Sequence, residues 1–96
     1  MQGPDKVHLG DVYVSRAVQF EIGSDLNSYR EMLARHQCGD WGDISPDDIL
    51  ANENALVAGK DVRSSYMAEN GVRVWIVSEL GRHITTILIP QECHRR

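Results

Sequence analysis

The sequence predicts an α+β domain: two central helices packed on a C-terminal three-stranded antiparallel meander, which an N-terminal strand can extend. Three observations predict it. Two central stretches, opening at Ser24 and Ser45, carry helix-start residues, helically spaced apolar positions and a closing glycine. The last third alternates apolar and polar residues in three successive runs. Between two of those runs lies Asn70-Gly71, a pair that tolerates the positive φ angles of a tight hairpin.

The elements follow in chain order. Met1 to Lys6 contains Gly3 and Pro4, lacks a period and reads as a loose end. Val12 and Val14 alternate with Asp11, Tyr13 and Ser15, which predicts a short strand. Arg16 to Ile22 supports two readings. Val18, Phe20 and Ile22 alternate as in a strand, yet Val18 and Ile22 are also one helical turn apart and Ser15 can cap a helix. Ser24 then serves as N-cap, with Asp25 in the first turn, where negative charge suits the helix dipole. Leu26, Tyr29, Leu33 and His36 form one helical stripe bordered by Met32, and Gly39 ends it.

Gly39-Asp40-Trp41-Gly42-Asp43 joins the two helices. The second helix starts on Ser45, Pro46, Asp47 and Asp48, runs to Ala58 and stops at Gly59. Ile49 and Leu56, with Asn52 and Ala55, share a face, and Leu50 and Val57 lie beside it. The meander strands centre on Val62-Ser64-Tyr66, Val72-Val74-Ile76 and Ile84-Thr86-Leu88, with a second turn at Leu80-Gly81. Pro90 ends the last strand because it has no N–H to donate. Residues 1–96 thus read as one domain with loose ends at 1–6 and 91–96.

Composition narrows the function classes. A formal net charge of -4 argues against charge-driven nucleic-acid binding; Arg30 and Arg35 on one helix and Arg95-Arg96 at the end offer only local basic patches. No apolar leader opens the chain, and its longest apolar stretch, Ile84 to Pro90, is too short to span a bilayer. The expectation is a cytoplasmic protein, away from membranes, with Cys38 and Cys93 reduced.

Several segments occur in one order: Arg35-His36-Gln37-Cys38-Gly39-Asp40-Trp41-Gly42-Asp43, Asn52-Glu53-Asn54-Ala55-Leu56, Val74-Trp75-Ile76-Val77-Ser78-Glu79 and Thr85-Thr86-Ile87-Leu88-Ile89-Pro90. Together they resemble a family of small bacterial proteins described only as plasmid-related or hypothetical, over Leu9 to Glu92. The resemblance implies a mobile-element setting, in which regulatory and anti-defence proteins are common. It favours a helix for Arg16 to Ile22 and carries no biochemical activity with it.

Three residue sets have chemical potential. His36, Asp40, Asp43 and Glu53 would form a divalent-metal or general-base cluster if the helices bring them together. The plainer alternative has His36 at a helix end, the aspartates capping turns and Glu53 solvated. Cys38 and Cys93 with His36 and His94 match zinc chemistry but no common finger spacing. Asp40, Trp41, Asp43, Arg73 and Trp75, extended by Tyr13 and Tyr66, would form an aromatic recognition surface, unless the tryptophans belong to the core.

No nucleophile elbow or glycine-rich phosphate loop is present, and no cofactor is called for. The expected function is a non-enzymatic protein-binding module of unknown partner, regulatory or anti-defence in role. It would form a homodimer through a sheet edge if the N-terminal strand leaves one free. A small metal-dependent hydrolase using His36, Asp40, Asp43 and Glu53 is the alternative. A nucleic-acid-binding regulator is a third, disfavoured by the acidic balance.

Overall fold

A computed structural model describes residues 5–25 and 27–94. The elements are β1 (Asp11–Val14), α1 (Arg16–Ile22), α2 (Asn27–Gln37), α3 (Pro46–Ala58), β2 (Asp61–Met67), β3 (Arg73–Glu79) and β4 (Ile84–Leu88). Short 3-10 turns follow β3 at Leu80–Arg82 and β4 at Pro90–His94.

The class is α+β, and β2, β3 and β4 pair antiparallel in succession. The expected three-stranded sheet is corrected to a four-stranded mixed one, ordered β1-β4-β3-β2. β1 lies parallel to β4, with Val12 beside Thr85 and Val14 beside Ile87. The free edge expected on the meander therefore moves outward to β1.

A third helix, α1, is the other difference. Ser15 Oγ accepts a hydrogen bond from the Val18 N–H at 3.2 Å, so capping and the Val18–Ile22 spacing prevail over the alternating pattern. Val18 enters the core, whereas Phe20, inward in a strand reading, is 89% exposed.

In α2, Tyr29 and His36 are buried while Met32 and Leu33 pack beside them. Leu26, placed in the same stripe by the sequence, lies outside the described residues. The helix starts later than a Ser24 cap implies: it is the Asp25 carboxylate that accepts the Asn27 N–H, at 3.0 Å. α3 follows its sequence signals. Ser45 Oγ accepts the Asp48 N–H at 3.1 Å, and Gly59 closes the helix in the left-handed region.

The helices pack on one face of the sheet. Toward α1 and α2, that face buries Val18, Tyr29, Tyr66, Val74, Ile76 and Ile87. A smaller cluster of Val7, Trp41 and Val62 gathers Ala55 and Leu56 of α3. The Lys6 and Val7 N–H groups donate to Gln37 O, and the Glu92 carboxylate accepts from Ser15 Oγ and the Ile89 N–H. No helix among the described residues is long and apolar enough to cross a membrane.

Candidate functional site

The central pentapeptide closes one edge of the sheet. On β2 the N–H and C=O groups of residues 63 and 65 face away from β3. The Asn52 side chain of α3 takes the first pair, donating to Arg63 O at 2.8 Å and accepting from the Arg63 N–H at 3.1 Å. The pentapeptide takes the second: the Ser65 N–H donates to Trp41 O at 3.0 Å, and the Asp43 N–H donates to Ser65 O at 2.7 Å.

Gly42 makes that approach possible. Its φ is +75°, and a Cβ there would lie 2.2 Å from Ser65 O. Trp41 is a core residue, 4% exposed; its Nε1–H reaches the Glu53 carboxylate at 3.3 Å and its ring meets His36 edge-on.

The two aspartates hold the turn in place. Asp40 is gripped by Arg35 through Nε at 2.8 Å and Nη2 at 3.3 Å, and this hydrogen-bonded guanidinium lowers the Asp40 pKa. Arg35 stacks over Tyr66, whose hydroxyl donates to Asp40 O at 2.5 Å. Burial pushes the Tyr66 pKa up to about 12. Tyr66 is therefore part of the core, not of a recognition surface. Asp43 pairs with Arg73 at 2.8 Å across the end of the sheet.

His36 lies inside a buried polar chain. Its Nδ1 is 2.6 Å from Ser64 Oγ and its Nε2 is 2.8 Å from Ser78 Oγ. Ser78 Oγ is 2.7 Å from Thr85 Oγ1, which donates to Leu9 O at 2.7 Å. Burial lowers the His36 pKa from 6.5 to about 4, so the ring is neutral near pH 7. For a neutral ring the Thr85–Leu9 bond sets the directions. Thr85 spends its hydrogen on a carbonyl, so it accepts from Ser78; Ser78 in turn accepts from His36 Nε2–H; Nδ1 accepts from Ser64.

The serine–histidine pair has the elements of a nucleophile and base, yet Ser64, His36, Ser78 and Thr85 are all fully buried. No substrate atom can reach Ser64 in this arrangement. The chain pins α2, three strands and the N-terminal segment together.

The proposed metal set is therefore dispersed. Both ring nitrogens of His36 are engaged by serines, Asp40 by Arg35, Asp43 by Arg73 and Glu53 by Trp41, with Lys6 4.0 Å away. Among the described residues, no group of three or more histidine, cysteine or acidic side chains is arranged to hold a metal ion. The same commitment of His36 separates it from Cys38, whose thiol donates to Arg35 O at 3.4 Å. The side chains of Cys93 and His94 lie outside the described residues.

Among the described residues, no α-helix packs on the opposite face of the sheet. Strand alternation places Arg63, Arg73, Trp75, Val77, Ile84, Thr86, Leu88 and Tyr13 there. Trp75 stands between Ser65 and Leu88, while Val77 stands between Arg63 and Thr86, with Tyr13 next in that row. Most are half-buried, and Tyr13 is 54% exposed. The Arg63 guanidinium covers the Trp75 ring at 4.4 Å and reaches the Asp48 carboxylate at 3.3 Å. Beside it, a shallow depression of about 380 Å³ runs from Trp75 and Val77 to Asp48 and Asn52 of α3.

Of the residues singled out from the sequence for recognition, Trp75 and Arg73 are on this face, Asp43 is at its margin through Arg73, and Asp40 and Trp41 are on the closed edge. Sequence reasoning missed Ser64, Ser78 and Thr85, although their polar side chains stand at inward positions of the alternating runs. It also missed Asn52 as an edge cap. Comparisons with protein-family models, curated proteins and solved structures give no match to this chain.

Proposed function

We propose that the chain is a non-enzymatic protein-binding module that works through the helix-free face of its sheet. The observation that carries this reading is Trp75: a large aromatic, partly exposed, fixed by Arg63 and flanked by Val77, Leu88 and Thr86. An apolar patch framed by arginines is the composition of a protein interface, and a pre-positioned tryptophan loses little freedom on binding. The dispersed polar groups support the same reading. A metal-dependent hydrolase would need His36, Asp40, Asp43 and Glu53 all to leave their present partners. The sequence resemblance to plasmid-related bacterial proteins suggests a regulatory or anti-defence role for such a module.

The test is capture of partners from the source cells by the tagged full chain, compared with Trp75→Glu and with Val57→Glu on the exposed side of α3. The reading predicts a partner retained by wild type and Val57→Glu and lost by Trp75→Glu. A partner held equally by all three would refute the face as the contact surface.

A further inference from the structure

The two edges of the sheet are treated differently, and the open one carries a second inference. β1 bonds to β4 through its odd residues: the Asp11 N–H donates to His83 O and the Ser15 N–H to Ile87 O, both at 2.9 Å. Parallel pairing alternates, so the N–H and C=O groups of Val12 and Val14 point outward. One of them, Val14 O, accepts the Gln19 amide of α1 at 2.9 Å and keeps a second lone pair. Among the described residues, nothing like the pentapeptide or Asn52 covers this edge.

Exposed apolar side chains stand on the strand itself, Val12 at 39% and Tyr13 at 54% exposure.

From this geometry we infer that β1 pairs antiparallel with β1 of a second copy of this chain, forming a two-fold dimer with one continuous sheet. The occupant follows from what the edge requires. An added strand must present apolar groups beside Val12 and Val14 on the helix side, and beside Tyr13 on the open side. β1 satisfies its own requirement when the axis passes at Tyr13. Val12 then faces Val14 of the partner subunit and exchanges both backbone bonds with it, while Tyr13 faces the partner's Tyr13. Asp11 falls opposite the partner's Ser15.

The axis is perpendicular to the sheet, so the two α1 helices run antiparallel side by side. The two helix-free faces join on one side, so the recognition face proposed above is doubled; the pairing itself does not depend on that function.

A four-residue strand pair is a small interface, at or below the ~1,200 Å² lower limit of standard complexes. The expected dissociation constant is therefore weak, on the order of tens to hundreds of micromolar. Sedimentation equilibrium of the full chain over a wide concentration range reads it directly. Tyr13→Glu, at a half-exposed position on the proposed axis, sets two like charges side by side and should weaken the dimer by about tenfold or more. Val12→Pro removes an outward N–H and should do the same, whereas Val57→Glu should leave association unchanged. Circular dichroism confirms folding of each variant. A monomer at all concentrations up to about 1 mM, or a dimer that survives Tyr13→Glu, would overturn the inference. Loss of partner capture by Trp75→Glu with the dimer intact would bear on the recognition face alone.

Discussion

β2 and β1 are the two edges of one sheet, and they meet water differently. β2 is seven residues long, and its outward groups at residues 63 and 65 are taken up by Asn52 and by the Trp41–Asp43 backbone. β1 is four residues long and offers Val12 and Val14 to whatever approaches. The lesson is that brevity and capping are separate ways of managing an edge. Capping uses up residues that look functional. The glycines, aspartates and tryptophan of the pentapeptide have the composition of a binding loop, but their geometry is that of a lid over a strand.

Breaking the closed edge should produce the largest effects. Gly42→Ala places a Cβ against Ser65 O in a left-handed conformation and should cost about 2–4 kcal/mol, read by denaturant unfolding. Gly71→Ala has a similar φ but open space around it, so its smaller loss isolates the steric part.

Acid attacks the same region through His36. Its folded pKa of about 4 lies below the ordinary 6.5, so the unfolded chain binds the extra proton first. This contribution is complete above pH 6.5 and is lost as pH falls toward 4, a total on the order of 3 kcal/mol. His36→Gln should abolish that window of the stability–pH curve, whatever its own stability.

Asn52→Leu should cost about 2 kcal/mol by leaving the Arg63 N–H and C=O unpaired. It should also convert the closed edge into an adhesive one, seen as new association that Tyr13→Glu does not remove. The smallest effect belongs to Arg73→Ala. Its ion pair with Asp43 is half-exposed, and the loss should stay below about 1 kcal/mol.

Much of the fold is written in local signals. Ser45-Pro46, the closing Gly59 and the three alternating runs locate α3 and the meander because each is fixed within a few residues. Arg16–Ile22 is less legible: two periods fit it, and the Ser15 cap decides between them only when its bond to Val18 forms. The parallel pairing of β1 with β4 depends on residues more than seventy positions apart and leaves no local trace.

The candidate site divides the same way. Trp75 on a mixed face follows from its neighbours Arg73 and Val77. The fate of His36 does not, because Ser64 and Ser78 reach it from two separate strands, and Thr85 on a third holds Ser78. A polar residue at an inward strand position was the available signal, and it indicated a buried partner, not a catalytic one.

The most direct measurement is amide hydrogen exchange at residues 12, 14, 63 and 65 in dilute solution, where the chain is monomeric. Closed and open edges predict strong protection at Arg63 and Ser65 and rapid exchange at Val12 and Val14. Exchange at Arg63 and Ser65 as fast as at Val12 would contradict the account, since the pentapeptide and Asn52 would then not be closing the sheet.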